Sequence, residues 1–140
     1  MVRDNYLQHL ASVRLFSNCT NRELEEIGKV ADELVIPSGT TLIRQGEIGV
    51  ELYILIDGTA SVIHDGKQIA SVTSGDVVGE MSVISGQPRN VTVLAETDLH
   101  ALILSRAGFD QLLDDIPGLA KHLLYEVTAR LLAISPGVAQ

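Results

Sequence analysis

The residues best suited to chemistry lie between two β-branched runs, Val77–Val78 and Val91–Val93. Gly79 and Glu80 directly follow the first run, and Arg89 comes shortly before the second. A glycine lets the backbone adopt unusual dihedral angles and approach a ligand closely. We expect a short helix to begin there, because unpaired amides at a helix start attract anions. Arg89 adds a planar, permanently charged group that suits phosphate oxygens, so the stretch predicts a phosphate site.

Glu80 is the unusual member of this set, because a carboxylate repels a phosphate. Its presence is explained if the same ligand also carries a hydroxyl group that donates a hydrogen bond to the carboxylate. A phosphate and a sugar hydroxyl on one small molecule indicate a nucleotide. The alternative is a purely structural turn at Gly79–Glu80, in which Arg89 pairs with Glu80 itself.

The composition of the whole chain limits the classes of function. Its 140 residues suffice for one domain with a single core. The formal net charge of −8 argues against direct binding to nucleic acid or to an anionic membrane, since both need basic patches. Cys19 is the single cysteine, which excludes an internal disulfide and fits a reducing cytosol. Without an apolar run of membrane-spanning length or a signal peptide, we expect a cytoplasmic protein.

Turn and strand signals fill the middle of the chain, whereas helical spacing is confined to its two ends. Helices are predicted at about 3–34, with apolar residues recurring as far as Leu34, and again at about 106–134. About eight short strands are predicted within 35–105. Short strands with turns roughly every 8–12 residues are typical of antiparallel sandwiches and barrels. The predicted fold is therefore one α+β domain over 1–140, a jelly-roll-like antiparallel barrel or sandwich flanked by N-terminal and C-terminal helices.

Metal and catalytic sites are not indicated by the sequence. The four histidines lie on separate predicted elements and lack the paired spacing of metal ligands. Cys19 has no suggestive partner for a nucleophile, and no serine lies in a nucleophile elbow. We therefore expect no metal, no cofactor and no catalytic residue.

The motif resembles the phosphate-binding cassette of cyclic nucleotide-binding domains, the module of catabolite-activator regulators, protein kinase A and G regulatory regions, and cyclic nucleotide-gated channels. The family pattern is aromatic-Gly-Glu-(Leu/Ile)-(Ala/Gly)-Leu, a variable loop, then Pro-Arg-small-Ala-(Thr/Ser)-Val. The corresponding residues of this sequence are Val78-Gly79-Glu80-Met81-Ser82-Val83 and Pro88-Arg89-Asn90-Val91-Thr92-Val93. The resemblance extends upstream through 36–47 and 52–58, so it covers nearly the whole chain.

The resemblance implies a role for each part of the cassette. Arg89 would pair with a cyclic phosphate, and the amides of Ser82 and Asn90 would donate to its oxygens. Glu80 would accept a hydrogen bond from the ribose 2′-hydroxyl, with Gly79 lining the sugar. The predicted ligand-binding residues are Gly79, Glu80, Met81, Ser82, Arg89, Asn90 and Val91.

Three positions depart from the family pattern. Val78 replaces an aromatic residue, which we interpret as a change in packing. Val91 replaces alanine beside the phosphate, and Asn90 stands where the family usually has Ala, Ser or Thr. A threonine at that position is associated with cGMP recognition, so Asn90 leaves the choice of base open. We favour cAMP over cGMP as the ligand.

The function implied by the resemblance is a non-catalytic cyclic-nucleotide sensor or regulatory domain. The bound phosphate would draw the cassette helix inward, and Val83 would carry that shift to the C-terminal helices. The candidate receivers there are Leu123, Leu124, Val127 and Leu131. Simple packing on the β core or a homodimer through the C-terminal helix are alternatives for this leucine stripe. The output itself is expected from a partner protein or from an effector domain in a longer chain.

The alternative function belongs to a different class. Asn90 and Val91 both enlarge the inner side of the cassette, which would suit an interaction or dimerisation module that keeps the fold and has lost the ligand.

Overall fold

Two four-stranded antiparallel sheets form the centre of the protein, and helices flank them in the chain. The computed structural model describes residues 8 and 10–134. The strands are β1 (Asp32–Ile36), β2 (Thr41–Ile43), β3 (Glu51–Asp57), β4 (Ala60–His64), β5 (Lys67–Val72), β6 (Val77–Val78), β7 (Thr92–Ala95) and β8 (Leu99–Ser105). The helices are a 3-10 turn (Arg14–Phe16), α1 (Asn21–Val30), α2 (Glu80–Ser85), α3 (Arg106–Asp115) and α4 (Leu119–Ile134). The predicted α+β fold with eight short antiparallel strands is confirmed.

The sheets have the strand orders β1-β8-β3-β6 and β2-β7-β4-β5, and in the described part of the chain they form a sandwich rather than a closed barrel. Alternate residues of β3 point to opposite faces of its sheet. Leu52 and Ile54 lie in a core beneath the helices, which we call the helix-side core. Tyr53 and Leu55 lie between the two sheets, in the inter-sheet core. Burial on both faces explains the nearly continuous apolar sequence of β3.

The first described helices cover the outer face of the β1-β8-β3-β6 sheet. The Thr20 hydroxyl accepts from the Glu23 amide, and the Glu23 carboxylate accepts from the Thr20 amide, which fixes the start of α1. α1 then buries Leu24 and Ile27 in the helix-side core. The earlier part of the predicted first helix, residues 3–7 and 9, lies outside the described residues, while residues 10–12 are helical.

The predicted end of the N-terminal helices at Leu34 is wrong. α1 ends at Val30, and β1 begins at Asp32, so the β core starts earlier than the predicted residue 35. Leu34 faces Ala101 of β8 in antiparallel register and is 44% exposed, so its helical spacing does not reflect a buried helix face. Pairing with a strand far along the sequence determines the local structure here, and helical periodicity does not report such a partner.

The C-terminal helices complete the helix-side core. The Ser105 hydroxyl accepts from the Gly108 amide and caps α3, which buries Phe109 and Leu112. Leu119 and Leu123 of α4 enter the same core. None of the helices in the described ranges combines the length and the hydropathy that crossing a bilayer requires. Residues 135–140 of the predicted domain lie outside the described residues.

Candidate functional site

The short helix α2 begins directly after Gly79, as the sequence predicts. Gly79 is its N-cap and has a φ of 89°, a left-handed conformation that side chains rarely adopt. A Cβ at this position would also lie 2.6 Å from Nη1 of Arg89 and 3.0 Å from Cδ1 of Ile43. Both the backbone conformation and the close approach of Arg89 therefore require glycine.

Arg89 is the central cation of the site. Its side chain is buried, with only 7% exposed. Nη1 donates to the carbonyl of Gly79 over 2.9 Å, and Nη2 donates to the carbonyl of Glu51 over 2.6 Å. The guanidinium also lies against the backbone of Gly49, where a Cβ would overlap it. Two separate segments of the chain, at 49–51 and at Gly79, thus fix the position of this charge.

The surrounding groups keep Arg89 charged. Burial lowers the pKa of the Arg89 guanidinium, whereas the neighbouring groups of Tyr53, Glu51 and Glu80 raise it. The Tyr53 hydroxyl donates to Oε1 of Glu51 over 3.2 Å, and burial together with Glu51 raises the pKa of Tyr53 to about 12. Arginine starts from so high a pKa that it stays protonated in proteins. Glu80, only 2% exposed, therefore lies within electrostatic reach of a permanent positive charge.

The attraction between Glu80 and Arg89 is also expected if Gly79–Glu80 is a purely structural turn in which the two side chains pair. The same residues also line a cavity large enough for a small molecule, which a purely structural turn does not require.

Backbone hydrogen bonds hold the cassette against the loop between β2 and β3. The Arg89 amide donates to the carbonyl of Glu47 over 2.7 Å, and the Gly46 amide donates to the carbonyl of Arg89 over 2.9 Å. The buried Ser82 hydroxyl donates to the carbonyl of Gln87 over 2.6 Å and accepts from the Gly49 amide over 3.3 Å. The Ser82 side chain therefore has a structural role beside the ligand role that the sequence predicts for its amide.

Asn90 is tied to two neighbouring elements. Its side-chain amide donates to Sδ of Met81 over 3.7 Å, a weak contact that reaches the start of α2. The backbone carbonyl oxygen of Asn90 lies 2.8 Å from Nδ1 of His64 at the end of β4. The Asn90 side chain thus contacts α2, and its backbone contacts β4.

A cavity of about 760 Å³ lies beside α2. Its lining includes all seven predicted ligand-binding residues, namely Gly79, Glu80, Met81, Ser82, Arg89, Asn90 and Val91. The opposite wall is largely apolar and comes from β4 and β5, with Val62, Ile69, Ala70 and Val72. Small-molecule sites typically have volumes of roughly 300–1,000 Å³ and a few convergent polar groups. The volume of this cavity lies within that range. The structure brings these residues together, and the ligand that they bind stays a prediction.

The C-terminal helix forms one edge of the cavity through Glu126, Ala129 and Leu131. Arg14 of the 3-10 turn donates to Asp76, and its Nε lies 3.5 Å from Oε2 of Glu126. Asp76 and Arg14 also line the cavity, so these charges join α4 to its rim.

The predicted relay residues do not share one face of α4. Val83 and Leu123 are buried together in the helix-side core, and Val127 packs at its border. Leu131 lines the cavity instead, and Leu124 is 64% exposed on the outer side of the helix. The grouping of four receivers is therefore too broad, because successive positions of an α-helix point about 100° apart.

Three features of the site gave no usable signal in the sequence. The Arg89 guanidinium lies against the backbone of Gly49, which no motif in the sequence singles out. Arg106 donates from Nε and Nη2 to the carbonyl of Val83, over 3.0 and 2.8 Å. The Arg14 ion pairs join residues that lie far apart in the sequence. A single sequence reveals local patterns and short motifs. It does not reveal which distant segments come into contact, so these features could not be found.

A metal centre is not indicated in this structure. Across residue 8 and residues 10–134, no three His, Cys, Asp or Glu side chains are grouped so that they could hold a metal ion.

Residues 33–115 match the family model described as the cyclic nucleotide-binding domain. This chain belongs to that family. The family resemblance inferred from the cassette is thereby confirmed. The chain is 30% identical over 136 residues to a cAMP-dependent protein kinase regulatory subunit of Blumeria graminis, a match that covers 96% of this chain and 35% of the relative. It thus spans about a third of that relative's length.

Two solved structures extend the comparison. A structure described as cAMP-bound PfPKA-R (141–441) superposes with a TM-score of 0.79 at 26% identity, covering 95% of this chain and 50% of that chain. The regulatory subunit of a cAMP-independent protein kinase A from Trypanosoma brucei superposes with a TM-score of 0.76 at 26% identity, covering 88% and 47%. The cyclic nucleotide-binding fold is therefore common to proteins whose descriptions differ in their dependence on cAMP.

Proposed function

We propose that this chain is a non-catalytic sensor or regulatory domain that binds a cyclic nucleotide, with cAMP preferred over cGMP. The observation that carries the proposal is the buried Arg89 guanidinium, held by the carbonyls of Gly79 and Glu51 at a cavity that Glu80 also lines. A fixed cation and a buried carboxylate in one cavity match a ligand that carries both a phosphate and a hydroxyl group.

In this proposal, each part of the ligand contacts a different group of residues. Arg89 has several N–H donors and uses Nη1 and Nη2 on backbone carbonyls, which leaves donors for phosphate oxygens. The amides of Ser82 and Asn90 supply further donors to the phosphate. Glu80 accepts from the ribose 2′-hydroxyl. The apolar wall of β4 and β5 receives the base, because a planar heterocycle buries well against aliphatic side chains.

The preference for cAMP is supported by the relatives. One of them is named a cAMP-dependent protein kinase regulatory subunit, and one solved structure of similar fold is described as cAMP-bound. Asn90 lacks the hydroxyl group that the family associates with cGMP, and its amide contacts Met81.

The signal leaves the domain through α3 and α4, whose buried side chains share the helix-side core with Val83 of α2. We propose that the effector is a partner protein or a domain of a longer chain. The name of the Blumeria graminis relative makes a protein kinase one candidate partner. We further propose a cytoplasmic location, because the single cysteine fits a reducing compartment.

Calorimetry with an Arg89→Ala variant tests the proposed function. Truncating a buried charge partner typically removes on the order of 2–5 kcal/mol of binding free energy, and we expect a loss of cAMP affinity in that range. Arg22→Ala is the matched control, because Arg22 is an exposed arginine on α1. Circular dichroism establishes that both variants are folded. Unchanged cAMP affinity in a folded Arg89→Ala protein would remove Arg89 from the phosphate site.

The second candidate is an interaction or dimerisation module without a ligand. It is supported by Asn90 and Val91 in the cassette and by the exposed apolar side chains of Leu124 and Tyr125 on α4. A thermal-shift panel separates the two functions, since a ligand at 100 times its Kd adds about 2.7 kcal/mol to stability. Stabilisation by cAMP or cGMP supports the sensor, and the absence of any shift with both nucleotides favours the module.

A further inference from the structure

Arg106 links three parts of the molecule that meet behind the cassette. It is the first residue of α3, and its side chain reaches to α2. Nε and Nη2 both donate to the carbonyl of Val83, over 3.0 and 2.8 Å. Its backbone amide donates to the carbonyl of Val50 over 2.8 Å, in the loop that precedes β3. The cassette helix, this loop and the first C-terminal helix are thus joined at one residue.

The contact supports α2 at the end opposite the ligand site. α2 has only six residues, and isolated helices of this length are unstable without tertiary contacts. Its last carbonyls also lack partners within the helix. The Gly86 amide satisfies the carbonyl of Ser82, and the Arg106 guanidinium satisfies that of Val83. A positive charge at a helix C-terminus is favourable as well.

We propose that Arg106 is a positioning residue that transmits the position of α2 to α3 and α4, an inference that rests on the proposed cyclic-nucleotide binding. Glu80 and Ser82 place the start of α2 at the cavity, so contacts with a ligand set the position of this helix. Two hydrogen bonds from one planar guanidinium to one carbonyl fix both distance and direction. A displacement of α2 therefore either moves the start of α3 or breaks both bonds.

α3 carries that displacement further. Its start is held by the Ser105 cap, and its Phe109 and Leu112 side chains pack in the helix-side core with Leu119 and Leu123 of α4. The Val83 side chain lies in the same core. Apolar packing has no preferred direction, whereas the Arg106 contact is directional, so a substitution of Arg106 separates the polar route from the apolar one.

Hydrogen exchange with and without saturating cAMP tests this role in the unaltered chain and in Arg106→Gln. Glutamine is shorter and lacks the charged fork. Coupling between sites is ordinarily about 5–150-fold, so cAMP should change exchange in α3 and α4 about fivefold or more in the unaltered chain and less than about twofold in Arg106→Gln. Protection of the cassette amides by cAMP should persist in both. Arg22→Gln, at an exposed position of α1, is the matched control and should behave as the unaltered chain.

The outcomes separate this inference from the function beneath it. An unaltered chain without cassette protection by cAMP overturns the proposed function and the role of Arg106 together. Cassette protection with an equal response of α3 and α4 in Arg106→Gln, or with no such response in the unaltered chain, overturns the role of Arg106 alone. If Arg106→Gln is unfolded by circular dichroism, Arg106→Lys is measured with the same outcomes, since lysine keeps the charge and loses the fork.

Discussion

Replacement of Glu80 by glutamine separates the ribose contact from every other effect of this buried carboxylate. Glu80 is only 2% exposed and lines the cavity at the first turn of α2. A hydrogen bond that involves a charged group contributes about 1.5–3 kcal/mol, so we expect Glu80→Gln to weaken cAMP binding about 10- to 150-fold. Glu80 also stabilises the charged form of Arg89. The loss of this effect in Glu80→Gln should weaken the binding of all cyclic nucleotides equally.

The comparison with 2′-deoxy-cAMP removes that common effect. Calorimetry on both proteins with both nucleotides forms a double-mutant cycle, whose coupling energy isolates the contact between Glu80 and the 2′-hydroxyl. We expect the substitution to weaken cAMP much more than its deoxy analogue. Glu25→Gln, at an exposed position of α1, is the control for loss of one negative charge. Equal losses for the two nucleotides would refute the assignment of Glu80 to the ribose.

Three further variants test separate parts of the site. Gly49→Ala should weaken cAMP binding about tenfold or more, which is at least about 1.4 kcal/mol, because a Cβ there overlaps the Arg89 guanidinium and displaces it. Calorimetry measures the affinity, and unchanged binding would contradict the packing of Arg89 on this backbone. Arg14→Gln should speed nucleotide dissociation up to about fivefold, because an exposed ion pair contributes at most about 1 kcal/mol. Stopped-flow fluorescence measures the dissociation rate, and an unchanged rate would show that the ion pairs do not hold α4 at the cavity rim. Burial and Glu23 raise the pKa of Cys19 to about 11, so iodoacetamide should react slowly at neutral pH and faster as the pH rises toward that value; fast labelling at neutral pH in the folded protein would contradict this environment.

The sequence predicted those parts of the structure whose cause is local. The strands follow from alternating side chains between turn residues, and the start of α2 follows from the conformational freedom of Gly79. Seven of the residues that line the cavity could be named because they occupy one continuous motif. These predictions needed no information about contacts between distant segments.

The parts that were missed depend on such contacts. Leu34 continues the helical spacing of α1, yet its backbone pairs with β8 and the chain is extended there. Gly49 and Arg106 belong to segments that no motif joins to the cassette, although both touch it in the folded chain. Leu124 was grouped with residues of similar chemistry, and only the packing of α4 reveals that it faces outward.

From the contacts of Arg89 we expect a ligand to displace α2 and not the arginine. The guanidinium is fixed by two backbone carbonyls and by the Gly49 backbone, so a phosphate does not need to order a flexible side chain. One of those carbonyls belongs to Gly79, the N-cap of α2. The other belongs to Glu51 in β3, which lies in the β1-β8-β3-β6 sheet. The arginine therefore joins a rigid strand to a helix of only six residues. Because a paired strand is held by more hydrogen bonds than this short helix, we expect α2 to take up a change in the bonds of Arg89, and Arg106 is in a position to pass it on.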